Sequence, residues 1–262
     1  MTTKRIPGPA GEINVDDGGS GGLPVLFIHG FGANLSHWAA QLEHLRPARR
    51  ASAMDLRGHG RSAPPAIGEY AVDAQAADVR AVLDGLDLDR AVLVGHSLGG
   101  AIAISFAGSD PDRVAGLVLA SAPGKVPDEQ AQQIIGAMEA DYETTSAGYW
   151  DRLTADATPQ VLAKLRGDMG DLDPAAGLAI IKATFDFDPL PALRAYRGPK
   201  LAITTPRADA PHDLHNAVAG LRHRVISGTS HFLQMDRPDE FNAMLDEFLS
   251  AVETGATGKP AG

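Results

Sequence analysis

The chain has 262 residues, a formal net charge of −10 and no cysteine. The acidic balance argues against nucleic acid and anionic membrane surfaces as partners, because both carry negative charge themselves. The absence of cysteine excludes disulfide bridges, a cysteine nucleophile and thiolate metal sites. The length suits one domain, or one domain with a sizeable insertion, and 44% apolar residues are enough for a large core.

Predicted strands and helices alternate through the first half of the chain. The N-terminal segment has no apolar signal core, and no stretch reaches the length of a membrane span, so we expect a cytoplasmic protein without membrane contact. The alternation predicts an α/β fold with a mostly parallel sheet, whose ligands bind at the carboxyl ends of the strands. Apolar or alternating runs predict strands over residues 11–15, 24–28, 50–56, 92–94 and 114–120, and helical spacing predicts helices over 35–45, 70–86 and 101–107.

The pattern changes in the second half of the chain. Helical segments broken by Gly and Pro predominate from 125 to 188, without a convincing buried strand. Strand-like sequence returns at 200–205 and 223–227, and a final helix is predicted over 238–252. We therefore predict a core of residues 1–124 and 189–252, a helical insertion over 125–188, and a disordered tail over 253–262.

One stretch carries a strong chemical signal. The apolar run Val92-Leu93-Val94 leads directly into Gly95-His96-Ser97-Leu98-Gly99-Gly100, and a helical pattern follows. A Gly-x-Ser-x-Gly sequence between a strand and a helix is typical of a nucleophile elbow, a tight turn that exposes a serine hydroxyl. A chance glycine-rich turn is the alternative interpretation. We predict Ser97 as a nucleophile, which needs a base because a free serine hydroxyl is weakly nucleophilic.

The best candidate base is His231, because it lies on a Gly-rich loop just after the last predicted strand. Such a histidine can reach over the sheet edge to Ser97. The carboxylate that would orient the imidazole is assigned to Asp209, a few residues past the strand over 200–205. Asp213 and Asp236 are the alternatives.

Backbone donors for an oxyanion are predicted at two places. The strand over 24–28 ends in His29-Gly30-Phe31-Gly32, where a glycine lets the Phe31 N–H point inward. The Leu98 N–H is free at the start of the helix that follows the elbow. Together they would form a two-donor oxyanion hole.

These motifs together resemble the α/β-hydrolase superfamily, over roughly residues 11–252. The resemblance rests on 29–32 with Trp38, on 55–62 (Asp-Leu-Arg-Gly-His-Gly-Arg-Ser), on 95–100, and on 228–231 with 236–241. It implies an α/β-hydrolase fold: an eight-stranded, mostly parallel sheet flanked by helices, with a small helical cap inserted after the sixth strand. The order Ser, Asp, His along the chain is also the order of that family. The segment after residue 204 departs from it, since the usual Gly-x-Asp-Asp turn is replaced by Thr-Pro-Arg-Ala-Asp.

A serine nucleophile with an oxyanion hole suits attack on an acyl carbon. We therefore expect a carboxylic ester hydrolase that cleaves a small hydrophobic ester or lactone through an acyl-Ser97 intermediate. Carbon–carbon bond hydrolysis, perhydrolysis, and a small-molecule receptor of the same fold with slow turnover stay open as alternatives. No metal-ligand spacing or dinucleotide fingerprint is present, so we expect a small-molecule substrate and neither cofactor nor metal.

The predicted insertion would determine specificity. Its apolar residues line a substrate pocket in one interpretation and form the insertion's own core in the other. Besides the catalytic groups, the residues predicted to bind substrate are Trp38, His96, Trp150 and Phe232.

Overall fold

The computed structural model of the chain describes residues 2–66, 69–168 and 172–255. It contains an eight-stranded sheet in the order β1-β2-β4-β3-β5-β6-β7-β8. The first two strands form an antiparallel hairpin, and β2 pairs antiparallel with β4; the remaining neighbours are parallel. The strands are Thr2–Gly8 (β1), Gly11–Gly18 (β2), Val25–Ile28 (β3), Ala51–Met54 (β4), Ala91–His96 (β5), Val114–Ala120 (β6), Lys200–Thr204 (β7) and Arg222–Val225 (β8).

Helices cover both faces of the sheet. Those of the core are Ala39–Leu45 (α1), preceded by a 3-10 turn over Leu35–Trp38, Val72–Gly85 (α2), Leu98–Ser109 (α3), Leu214–Ala217 (α9), Leu233–Asp236 (α10) and Pro238–Glu253 (α11). Those between β6 and β7 are Asp128–Ala140 (α4), Tyr142–Thr154 (α5), Pro159–Asp168 (α6), Pro174–Asp186 (α7) and Pro189–Ala195 (α8). We call residues 125–188 the helical insert.

The apolar side chains divide between two cores because successive residues of a strand point to opposite faces. In β3, Leu26 and Ile28 join the core under α2 and α3, whereas Val25 and Phe27 join the core under α1 and α11. A strand buried on both faces reads as a continuous apolar run, which is why β3 could be recognised from sequence.

The predicted α/β fold with an eight-stranded, mostly parallel sheet is confirmed. Strand β1 was not predicted, since Thr2–Gly8 is mostly polar and its main apolar anchor is the buried Ile6. The helix predicted over 35–45 divides into the 3-10 turn and α1. The predicted disordered tail lies largely outside the described residues. No helix in the described part of the chain is both long enough and apolar enough to cross a membrane.

Candidate active site

Ser97 lies at a sharp corner between β5 and α3. Its backbone has φ 51° and ψ −120°, in a region that a residue with a side chain rarely adopts. A Cβ at Gly95 would lie 2.3 Å from the Gly99 carbonyl oxygen, and a Cβ at Gly99 would lie 2.3 Å from that of Ile28. Glycine is therefore required at both positions for strand and helix to approach so closely. The corner has the geometry of a nucleophile elbow.

Two backbone N–H groups beside Ser97 have no hydrogen-bond acceptor among the described residues. One belongs to Phe31, just after β3, and the other to Leu98, the first residue of α3. The Phe31 loop is fixed because the neighbouring Gly32 N–H donates to Nε2 of His59 at 3.1 Å. The helix N-terminus adds a partial positive charge at Leu98. Both groups are available to an oxyanion.

His231 and Ser97 line the same small cavity, whose volume is about 10 Å³. Nε2 of His231 is buried and has no described hydrogen-bond partner. Burial in apolar surroundings lowers the pKa of His231 to about 4. The imidazole is therefore neutral at pH 7 and able to accept a proton.

The backbone around His231 is held by several hydrogen bonds. The Asp236 carboxylate accepts from the Ser230 N–H at 2.9 Å and from the Ser230 hydroxyl at 2.6 Å. Nε2–H of His96 donates to the His231 carbonyl oxygen at 3.0 Å, and the two rings lie 4.8 Å apart. His96 thus helps to hold the loop that carries His231 in place. Burial keeps the pKa of His96 well below the usual value, and the neighbouring His231 adds to this lowering.

Asp209 is exposed on the loop after β7, and no described hydrogen bond or ion pair joins it to His231. Burial lowers the pKa of His223, and the negative charge of the nearby Asp209 partly opposes that shift. Asp213 accepts the Ala210 N–H at 2.6 Å. Asp236 contacts Ser230 instead of the imidazole. The identity of the third triad member stays a prediction.

Two of the residues predicted to bind substrate form part of an aromatic stack at the Ser97 cavity. Trp150 of α5 lies between Phe31 and Phe232, with ring centroids 5.8 and 6.0 Å away and nearly parallel planes. Trp38 lies elsewhere: it is fully buried and packs against Phe27 in the core under α11. The structure thus places Trp150 and Phe232, but not Trp38, at the Ser97 cavity.

Two supporting groups were not predicted from sequence. The first is His59, which holds the Phe31 loop. His59 belongs to the motif over 55–62, but the sequence did not indicate what that motif does. The second is the backbone of Leu153 in α5, whose carbonyl oxygen accepts the His231 N–H at 2.9 Å. A backbone acceptor has no sequence signal.

The order of the strands and the corner at Ser97 are typical of α/β-hydrolases, and comparisons with known proteins agree. A model of the alpha/beta hydrolase fold family matches residues 24–148. The chain belongs to the α/β-hydrolase superfamily.

Among solved structures, an esterase from Thermogutta terrifontis is similar, with 27% identity, a TM-score of 0.80, and coverage of 96% of this chain and 99% of that one. Est816, described as an N-acyl homoserine lactone degrading enzyme, has 29% identity, a TM-score of 0.81, and coverage of 94% and 100%.

A curated relative matches more strongly but over a shorter segment. It is the dihydrolipoyllysine-residue acetyltransferase component of the acetoin cleaving system from Pseudomonas putida, with 44% identity over 107 residues. That segment covers 41% of this chain and 29% of the relative.

Proposed function

We propose that the protein is a serine hydrolase that cleaves a small, hydrophobic carboxylic ester or lactone through an acyl-Ser97 intermediate. One observation carries the proposal: a serine in a strained strand-to-helix corner shares its cavity with a neutral histidine and lies beside two N–H groups that have no acceptor among the described residues. The esterase and the lactone-degrading enzyme that resemble the chain over nearly its whole length support the same reaction class.

The mechanism follows from these groups. The Ser97 hydroxyl attacks the acyl carbon while Nε2 of His231 takes its proton. The carbonyl oxygen becomes negative and accepts hydrogen bonds from the N–H groups of Phe31 and Leu98. His231 then returns the proton to the leaving alcohol as its bond to the acyl carbon breaks. A water molecule then attacks the acyl carbon while His231 takes its proton, and His231 returns that proton to the Ser97 oxygen as the bond between Ser97 and the acid breaks.

In this proposal Asp209 supplies the carboxylate that orients His231, which requires its loop to move toward the imidazole. Replacing the acid of such a triad by asparagine typically lowers kcat about 10⁴-fold. Asp209→Asn tests the assignment, with Asp213→Asn as the matched variant in the same loop. A large loss confined to Asp209→Asn supports it, whereas a large loss in Asp213→Asn alone moves the role to that residue.

Intact mass after treatment with a small fluorophosphonate tests the nucleophile. We expect one adduct on the parent protein and none on Ser97→Ala. An unlabelled parent would contradict the proposal, because activated serine hydrolases react with this reagent class.

A receptor with slow turnover is the second candidate function. The observation that favours it is the cavity of about 10 Å³ at Ser97, which has no room for a substrate until α5 moves. Multiple turnovers of simple esters support the hydrolase, whereas release of one equivalent of alcohol followed by arrest supports the receptor.

A further inference from the structure

Two clefts adjoin the Ser97 cavity, and each shares a different pair of lining residues with it. A cleft of about 220 Å³ shares Phe31 and Trp150 with it, and we call this the Phe31 cleft. A cleft of about 310 Å³ shares Leu153 and His231 with it, and we call this the His231 cleft. The Ser97 cavity therefore adjoins two larger spaces that differ in chemistry.

The Phe31 cleft is uncharged. Besides Phe31 and Trp150, its walls include Gly32, Tyr142 and Leu172, and no charged residue is among its described lining. Trp150 lies so close to Gly32 that a Cβ there would meet the indole ring at 2.5 Å. The indole thus separates this cleft from Ser97, and the cleft suits an apolar group.

The His231 cleft contains polar groups that lack partners. Arg152 is exposed at its wall and makes no hydrogen bond or ion pair with any described residue, although its guanidinium lies 5.8 Å from the Tyr149 ring. The Ser121 hydroxyl is buried and likewise has no described partner. The other arginine of the wall, Arg207, pairs with Asp156 at 2.5 Å.

Asp213 is the acidic residue of that wall, and its carboxylate already accepts the Ala210 N–H at 2.6 Å. Apart from the imidazoles, the Arg152 guanidinium and the Ser121 hydroxyl are among the groups of this wall that have no described partner. Both are suited to a carboxylate, which accepts hydrogen bonds and carries the opposite charge.

The direction of the reaction assigns one cleft to each part of the substrate. The leaving alcohol receives its proton from His231, so the bond that breaks must face the imidazole. The alcohol part therefore lies in the His231 cleft. The acyl chain takes the remaining space, the Phe31 cleft, once Trp150 has moved aside.

We propose that the substrate is an ester of an apolar acid with a short alcohol that carries a carboxylate, bound with that carboxylate near Arg152 and the acyl chain beyond Trp150. This rests on the proposed function. Trp150 and Arg152 lie two residues apart on α5, so one helix determines the preference for both parts of the substrate.

The first arm tests the alcohol side. Hydrolysis of the butanoate ester of 3-hydroxypropanoate is compared with that of propyl butanoate, which has a similar size but no charge. We expect a higher kcat/KM for the charged ester, and Arg152→Gln to reduce that preference about two- to fivefold, the size of an exposed charge pair. Arg166→Gln, with the same charge change on the exposed face of α6, leaves the preference unchanged.

The second arm tests the acyl side. Trp150→Ala, or Trp150→Leu if the alanine variant does not fold, raises kcat/KM for octanoate over butanoate esters about tenfold. It leaves the preference for the charged alcohol intact. If the parent and Arg152→Gln prefer the charged ester over propyl butanoate to the same extent, the assignment of the alcohol side is overturned. An unchanged chain-length profile in the Trp150 variants overturns that of the acyl side.

Fluorophosphonate labelling of Ser97 separates these results from failure of the proposed function. A parent that is labelled but shows neither preference refutes only the substrate assignment. A parent that is not labelled refutes the serine hydrolase itself.

Discussion

The backbone N–H of His231 donates a 2.9 Å hydrogen bond to the carbonyl oxygen of Leu153. Leu153 belongs to α5, the same helix whose Trp150 lines the Ser97 cavity. A second connection lies nearby, because the Asp236 carboxylate that holds Ser230 also accepts the Thr158 N–H at 2.9 Å. The helical insert is thus joined by hydrogen bonds to His231 itself and, through Asp236, to the loop that carries it.

Removal of the Asp236 carboxylate should affect stability and activity together. Asp236→Ala leaves the buried Ser230 N–H and the Thr158 N–H without their acceptor, and we expect a loss of about 3 kcal/mol in unfolding free energy. Asp236→Asn retains one acceptor oxygen and should lose less. Urea denaturation and kcat are measured for both, with exposed Asp151→Asn as control. Parent-like stability in Asp236→Ala would contradict this account.

The pH dependence of activity should reflect the buried imidazole. Only neutral His231 accepts the Ser97 proton, so kcat/KM is lost as pH falls through its pKa of about 4, instead of near 6.5. Rates are measured between about pH 3.5 and 8, and circular dichroism at each pH limits the comparison to conditions in which the protein stays folded. An acid limb near 6.5 that Asp209→Asn moves downward would instead place a carboxylate beside the imidazole during catalysis.

Backbone strain at Ser97 predicts different stabilities for two variants that lack its hydroxyl. Alanine at position 97 keeps a Cβ at φ 51°, whereas glycine adopts that backbone without a steric penalty. We expect Ser97→Gly to be more stable than Ser97→Ala by about 1 kcal/mol. Denaturation midpoints measure the difference, and neither variant should react with the fluorophosphonate. Equal midpoints would mean that the corner is not strained.

Buried histidines should make the fold sensitive to mild acid. Burial lowers the pKa of His29, His59 and His96, the first and last of them well below the usual value. Their neutral forms are therefore favoured in the folded state, and stability is full above the unfolded pKa of about 6.5 and falls as pH drops below it.

Each of these groups should cost about 1.4 kcal/mol per pH unit over the range between its unfolded and folded pKa. Urea midpoints at pH 7.5, 6 and 5 measure the loss. Carboxylates whose pKa is lowered contribute only below about pH 4, so they do not interfere in this range. A midpoint that stays constant down to pH 5 would refute the prediction.

The elbow could be predicted from sequence because its signal is local. Gly95, Ser97 and Gly99 lie within five residues, and a Cβ at Gly95 would clash with Gly99 in the same turn, although a Cβ at Gly99 would clash with the Ile28 carbonyl oxygen of the distant β3. The position of Phe31 beside Ser97 was predicted on similar grounds, because Phe31 lies three residues after the apolar run over 24–28. The regular alternation of strands and helices likewise predicted most of the sheet.

Contacts between distant segments were not predictable in the same way. Nothing local in the loop over 205–213 determines how near Asp209 comes to His231, because that depends on how the loop packs. The same limit applies to the two tryptophans. Trp38 follows β3 and Trp150 lies in the insert, but which of them faces the site depends on the sheet face against which each segment packs.

That division between the tryptophans has a spectroscopic consequence. The chain has two tryptophans in all, and Trp38 is fully enclosed by the core. Trp150, stacked between two phenylalanine rings, is the indole whose surroundings change when a molecule enters beside Ser97. The protein therefore contains its own fluorescent reporter of site occupancy, with no attached dye. Emission from Trp38 stays constant and serves as a reference, whereas emission from Trp150 changes when the site is occupied.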